Sequence, residues 1–101
     1  MDVKVTALEG KAIIRLEGRF DFNAHREFRD AVDSAMQMDG VREIHLDLFK
    51  VAYLDSSALG MLLMLRDKAQ SKNYRVQLTN CSTAVRQVLE IANFSKLFTI
   101  C

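Results

Sequence analysis

The amino-acid sequence predicts an α/β domain with a mixed sheet of four to five strands and helices packed against it. Three observations support this prediction. Apolar and polar residues alternate in several short runs, as in strands with one buried face. Between these runs, apolar residues recur every three or four positions, as in amphipathic helices. The order β-β-α-β-α-β-α contains two β-α-β crossovers, which join parallel strands.

The first two strands are predicted to form a hairpin. Leu8-Glu9-Gly10 supplies its turn, and the alternating apolar positions are Val3, Val5, Ala7, Ala12, Ile14 and Leu16. An amphipathic helix follows, with Asn23 as its predicted N-cap and Asp39-Gly40 at its end. The residues of this helix expected to face the sheet are Ala24, Phe28, Ala31, Val32 and Ala35.

The third strand, in residues 44–53, is the most apolar and is therefore predicted to be central and covered. A second helix is expected to begin near Ser56 and to run to about Lys72. A fourth strand follows in residues 74–78. Ser82 is the predicted N-cap of a third helix, which ends at Asn93. Residues 97–100 are expected to form a last turn or an edge strand.

Composition limits the classes of protein to which the chain can belong. Its 101 residues predict one domain, residues 1–101, and half of them are hydrophobic. The net charge of +1 without a basic block argues against a nucleic-acid partner. The longest apolar run, Ala58 to Leu65, is shorter than the roughly 20 residues that span a bilayer, and the N-terminus lacks a signal-peptide core. We therefore expect a cytoplasmic protein with no membrane partner, and we expect Cys81 and Cys101 to be reduced thiols.

Catalytic and cofactor motifs are not apparent in the sequence. A serine hydrolase needs a base and a nucleophile elbow, and neither surrounds the serines at positions 56 and 57. His45 and Asp47 share a strand face roughly 6.5 Å apart, and we interpret His45 as a partly covered sheet residue. The cysteines lack metal-ligand spacing, and no glycine-rich loop could hold a nucleotide. These observations remove most catalytic interpretations of the serines and predict no cofactor or metal.

The segment Asp55-Ser56-Ser57 stands between the third strand and the apolar second helix. Asp and Ser both accept hydrogen bonds from the first N–H groups of a helix. The same position carries partial positive charge and tolerates an added phosphate. From residue type alone, a serine here is a cap, a nucleophile or a phosphorylation site.

The second helix carries more apolar residues than burial against a sheet requires. One stripe, Ala58, Leu62, Leu65 and Ala69, would suffice. Some of the remaining apolar residues are therefore expected near the surface as a protein docking site, since methionine suits adaptable contacts. These are Leu59, Met61, Leu63 and Met64. The alternative is that this helix is buried more deeply than the first.

The segment from Tyr53 to Gly60, following Ile44-His45-Leu46-Asp47-Leu48, resembles the signature of STAS domains, specifically bacterial anti-sigma-factor antagonists. The segment from Leu16 to Asp21 is similar to the second strand and following loop of that family. The segments Val85–Leu89 and Phe94–Phe98 resemble its closing helix and tail. The resemblance covers essentially the whole chain and implies the STAS fold. Many members have glycine after the two serines, where this chain has Ala58, which favours the helix.

The resemblance implies partner switching. The unmodified domain would bind an anti-sigma factor, typically a serine kinase with a GHKL-type ATP site, and so free its client. The kinase would phosphorylate Ser57 and break the complex, and a PP2C-type phosphatase would reverse this. The domain would then be a substrate and a ligand, not an enzyme. Ser56 is then expected to have a structural role as a cap, and Asp21 to lie near Asp55. The residues expected to contact the partner are Asp21, Asp55, Ser56, Ala58, Leu59, Met61 and Met64. The alternative is a constitutive STAS interaction module without phosphorylation.

Overall fold

The computed structural model describes residues 1–100 and contains one five-stranded sheet with three α-helices. The strands are β1 (Asp2–Leu8), β2 (Lys11–Phe20), β3 (Glu43–Leu54), β4 (Arg75–Thr79) and β5 (Thr99–Ile100). The helices are α1 (His25–Met36), α2 (Ser56–Ser71) and α3 (Thr83–Ile91), and 3-10 turns at Phe22–Ala24 and Phe94–Lys96 flank α1 and α3. The predicted α/β class with a mixed sheet is confirmed.

The strands lie in the order β1-β2-β3-β4-β5. β1 pairs antiparallel with β2, and every later pair is parallel. Glu9 and Gly10 both have positive φ, 52° and 80°, which is the conformation of a two-residue hairpin turn. The three parallel crossovers run in the same direction across the sheet, and because such crossovers are right-handed, all three helices cover the same face.

One face of the sheet therefore forms the core, and the opposite face has no helices on it. Alternate residues of the central strands, such as Ile14, Ile44, Leu46 and Leu78, are fully buried under the helices. Their neighbours on the other face are polar and partly exposed, among them Arg15, Asp47 and Gln77. The predicted central position of β3 is confirmed, since it pairs with both β2 and β4. The prediction that this strand is covered was wrong for the helix-free face, where Phe49 is 72% exposed.

The predicted end signals of the third helix are confirmed. The Oγ of Ser82 accepts a hydrogen bond from the N–H of Val85 at 3.2 Å. Asn93 follows α3 in the left-handed conformation with φ of 62°, which ends the helix.

Cys81 is half-buried beside the core, and Cys101 lies outside the described residues. In residues 1–100, no helix combines the length and the apolar character that crossing a membrane requires.

Candidate functional site

The candidate site lies where β2 and β3 end side by side and α2 begins. Phe20 pairs with Leu54 in the parallel register, and the N–H of Asp55 donates to the Phe20 carbonyl oxygen at 3.3 Å. The next residues of the two strands, Asp21 and Asp55, therefore lie next to each other, since paired strands run about 4.8 Å apart. Two carboxylates thus stand at the edge of the sheet from which α2 starts.

Asp55 is the N-cap of α2. Its backbone is extended, with φ of −111° and ψ of −174°, and its Oδ1 accepts a hydrogen bond from the N–H of Ala58 at 2.9 Å. The structural role expected for Ser56 as a cap was wrong, because Asp55 already makes that bond. Ser56 and Ser57 are instead the first two residues within the helix.

Asp21 caps the short 3-10 turn that precedes α1. Its Oδ1 accepts from the N–H of Asn23 at 3.0 Å, and its Oδ2 lies 3.7 Å from the Nε of Arg19. The prediction that Asn23 caps the first helix was wrong, because Asn23 lies inside the turn and donates its own N–H to Asp21. Both carboxylates of the site are therefore engaged in holding local backbone.

The hydroxyls of Ser56 and Ser57 point to solvent. Both residues are exposed, and within residues 1–100 neither side chain makes a hydrogen bond to the protein. The N–H groups of these two residues also lack an acceptor within the chain, as is usual in the first turn of a helix. The site thus combines free hydroxyl groups with unpaired N–H donors.

The apolar residues of α2 divide between core and surface. Ala58, Met61, Leu62, Leu65 and Ala69 are buried. Ala58 is fully buried and Met61 only 4% exposed, so these two side chains belong to the core and are not part of a contact surface, contrary to expectation. The other residues are more accessible: Leu63 is 38% exposed, and Leu59 and Met64 are half-buried.

Two exposed aromatic residues flank the carboxylates and were missed by the sequence reasoning. Phe22 is 60% exposed and Tyr53 is 43% exposed. The guanidinium of Arg19 lies 4.3 Å from the centre of the Tyr53 ring, a cation–π geometry. Tyr53 falls in the apolar run that was predicted to be covered, and the signal against its burial was its position next to the polar segment at the strand end.

The His45 ring lies beside Glu43, and its Nε2 makes no hydrogen bond within the described residues. Its Nε2 lies 3.2 Å from Oε1 of Glu43, and Oδ1 of Asp47 accepts from the N–H of Phe49 at 3.0 Å. His45 is a partly covered residue of the helix-free face, as interpreted from the sequence. Ser56 and Ser57 instead belong to α2, in the helical layer on the other face of the sheet.

Comparison with known proteins decides the family of this chain. A family model described as Mlab, STAS domain matches residues 3–99. The chain is a STAS domain. It is 51% identical over 87 residues to a STAS-domain containing protein of Pseudomonas aeruginosa, covering 86% of this chain and 84% of that protein. It is also 24% identical to an anti-sigma F factor antagonist of Paenibacillus polymyxa, over 99% of this chain and 86% of the relative.

Solved structures show the same fold. This STAS domain aligns with the anti-sigma factor antagonist SpoIIAA in its unphosphorylated form with a TM-score of 0.81 and 22% identity, over 99% of this chain and 88% of the other. Against the phosphorylated form of Bacillus SpoIIAA the TM-score is 0.74 with 21% identity, over 99% and 91% of the chains. The predicted STAS fold is therefore confirmed.

The cap of α2 in this STAS domain makes a measurable contribution to stability. We expect Asp55→Ala to lower the free energy of unfolding by about 1 kcal/mol, because the Ala58 N–H loses its acceptor. Urea denaturation followed by circular dichroism measures this difference. Asp55→Asn is the matched control, since its amide oxygen can still cap the helix and it should stay within a few tenths of a kcal/mol of wild type. An equal loss in both variants would contradict a capping role for the side-chain oxygen.

Proposed function

We propose that this STAS domain is an anti-sigma-factor antagonist in a bacterial partner-switching pathway. Its unmodified form binds an anti-sigma factor that is also a GHKL-type serine kinase, and binding releases the client of that factor. The kinase phosphorylates Ser57, the complex separates, and a PP2C-type phosphatase restores the unmodified form. The name of the Paenibacillus polymyxa relative and the SpoIIAA fold support this role. The domain is then a substrate and a ligand rather than an enzyme.

One observation carries the proposal: Asp55 caps α2 and so leaves the Ser57 hydroxyl free. A serine that caps a helix has its oxygen engaged with backbone, and modifying it would remove the cap. Ser57 is exposed, and its hydroxyl makes no hydrogen bond within the described residues. A kinase can therefore reach it, and a phosphate can be added without cost to the helix.

A phosphate on Ser57 is compatible with the fold. It adds about −1.5 to −2 charges at neutral pH, at the helix end that favours negative charge. The unpaired N–H groups of Ser56 and Ser57 are available as donors to its oxygens. SpoIIAA has been solved both unphosphorylated and phosphorylated, and both forms align with 99% of this chain. We therefore expect the modified domain to remain folded.

The same phosphate makes the surrounding surface unsuitable for an apolar partner. The segments that form the site carry exposed large hydrophobic residues, namely Phe22 after Asp21, Tyr53 before Asp55 and Leu63 in α2, and Leu59 and Met64 of α2 are half-buried. Asp21 and Asp55 already add negative charge at this edge, and the nearby cation, Arg19, is paired with Asp21. The single charge of Arg19 cannot neutralise both carboxylates and a phosphate, so this group of residues would keep a net negative charge. Burying it under a partner would cost its hydration without compensation.

Mapping of the phosphate tests the site assignment. After incubation with the cognate kinase and ATP, mass spectrometry is expected to find phosphate on Ser57 of the wild type and of Ser56→Ala, and none on Ser57→Ala. Because both serines are exposed and belong to the same helical turn, Ser56→Ala is a close control for access by the kinase. Phosphate on Ser57→Ala at the wild-type level would contradict the assignment. If the chain is not phosphorylated but still binds its partner, it is a constitutive interaction module.

A further inference from the structure

The helix-free face of the sheet presents a large aromatic side chain to solvent. Phe49 on β3 is 72% exposed, more than any other aromatic residue described in residues 1–100. It lies in a concavity of the sheet surface between β1, β2 and β3. The helices, including α2 with Ser57, cover the other face. The proposed function therefore makes no use of Phe49.

A β-bulge places Phe49 and Lys50 next to each other on the helix-free face. Arg15 pairs with Asp47 and Glu17 pairs with Lys50, so Leu16 alone opposes both Leu48 and Phe49. Phe49 follows the buried Leu48 in the regular alternation of the strand, and the extra residue of the bulge then brings Lys50 to the same face before Val51 returns to the core.

The bulge is held by the side chain of Asp47. Its Oδ1 accepts from the N–H of Phe49 at 3.0 Å and from Nδ2 of Asn80 at 3.2 Å. Its Oδ2 lies 3.7 Å from Nε of Arg15. Three elements thus fix the backbone from which Phe49 projects. The exposed ring is part of an ordered surface.

Charges of both signs surround the ring in equal number. Lys4, Arg15 and Lys50 are opposed by Asp2, Glu17 and Asp47 in the wall of the concavity. The pair of Lys50 and Glu17 is long, 3.8 Å between Nζ and Oε2, and both side chains are more than half exposed. Such a pair contributes little within one molecule and can exchange partners. A neutral surface that mixes both signs does not favour nucleic acid or any strongly charged partner.

We propose that this face is an isologous interface between two copies of the chain, with Phe49 at its centre. In a two-fold dimer the same patch occurs on both sides, so a cation of one copy can meet an anion of the other. Here Lys50 of each copy faces Glu17 of the other while the two Phe49 rings are removed from water. The start of α2 stays accessible in this dimer.

Sedimentation velocity of the purified chain across micromolar to millimolar concentrations tests this inference. We expect the wild type to self-associate as concentration rises, and Phe49→Ser to raise the dimer dissociation constant at least about tenfold. Ile91→Ser is the matched control, because Ile91 is an apolar residue that is 83% exposed on α3, in the helical layer. Circular dichroism verifies that both variants are folded, as expected for substitutions at exposed positions.

Charge reversal distinguishes this dimer from nonspecific hydrophobic association. Glu17→Lys and Lys50→Glu should each weaken the dimer, because like charges then meet across the two-fold axis. The double variant should recover the wild-type dissociation constant, because each copy again offers one cation and one anion. A wild type that is monomeric at every concentration would overturn the inference, as would an Ile91→Ser effect equal to that of Phe49→Ser or a double variant no better than the single ones. None of these outcomes depends on phosphorylation of Ser57.

Discussion

Replacing Ser57 by glutamate is expected to weaken binding of the anti-sigma partner about 30- to 150-fold, which corresponds to roughly 2–3 kcal/mol of binding free energy. The new carboxylate adds to the charges of Asp21 and Asp55 beside an apolar surface, and a partner that covers it must remove its hydration. The fold should be retained, because a negative charge in the first turn of α2 is favourable. Isothermal titration calorimetry measures the affinity, and urea denaturation measures the stability.

Ser57→Gln is the matched control for this prediction. Glutamine has nearly the same size and shape as glutamate but no charge, so the difference between the two variants isolates the electrostatic effect. We expect Ser57→Gln to bind at least about tenfold more tightly than Ser57→Glu. Equal affinities would show that bulk, rather than charge, interrupts binding. An unfolded Ser57→Glu variant would contradict the view that α2 accommodates negative charge at this position.

The second large effect is expected from two neighbouring leucines of α2 that differ in burial. Leu62 is fully buried and Leu63 is 38% exposed. Leu62→Ala leaves a cavity in the core and should lower the free energy of unfolding by about 2–5 kcal/mol. Leu63→Ala removes no core contact of that kind, and its stability should stay within about 0.5 kcal/mol of wild type. Denaturant titrations of the three proteins measure the difference.

The same two variants distinguish a residue of the core, Leu62, from a residue of the proposed docking surface, Leu63. If Leu63 contacts the anti-sigma partner, Leu63→Ala weakens binding without a change in stability. If Leu63 is one of the minority of contact residues that carry most of the binding energy, its truncation costs more than about 1 kcal/mol, or roughly fivefold in affinity. Similar losses of stability in both variants would mean that the division of α2 into buried and exposed residues is wrong.

Much of the fold could be predicted because burial in this sheet is one-sided. A strand with one covered face alternates apolar and polar residues, and β2 does so with Ala12, Ile14 and Leu16 buried under the helices. α1 shows the equivalent helical pattern, with Phe28, Val32 and Ala35 buried. In these elements the sequence pattern and the observed burial agree residue by residue.

In α2 the predicted stripe of Ala58, Leu62, Leu65 and Ala69 is buried, but the pattern did not place Met61, because the first two turns are apolar on nearly every side. Periodicity then does not distinguish Met61, which is buried, from Met64, which is half-buried. α2 packs against α1 as well as against the sheet, and Nζ of Lys68 donates to Oδ1 of Asp33 across that contact at 2.7 Å. Burial against two neighbours requires a wider apolar arc than a single stripe.

The identity of the cap was also beyond the sequence. Asp55, Ser56 and Ser57 are all favourable N-cap residues, and their order alone does not select among them. Strand pairing does, because the N–H of Asp55 still bonds to Phe20 of β2 and so keeps Asp55 extended. Helical geometry can then begin only at Ser56. A tertiary contact thus determines which serine hydroxyls remain free.

The central claim is that phosphate on Ser57 controls partner binding. The most direct test compares the proteins captured by the chain with and without phosphoserine at position 57. The chain carrying phosphoserine at position 57 and the unmodified chain would be immobilised and exposed to lysate of the source bacterium, with bound proteins identified by mass spectrometry. We predict that the unmodified chain retains an anti-sigma factor and that the phosphorylated chain does not. Equal retention of that factor by both forms would contradict the account.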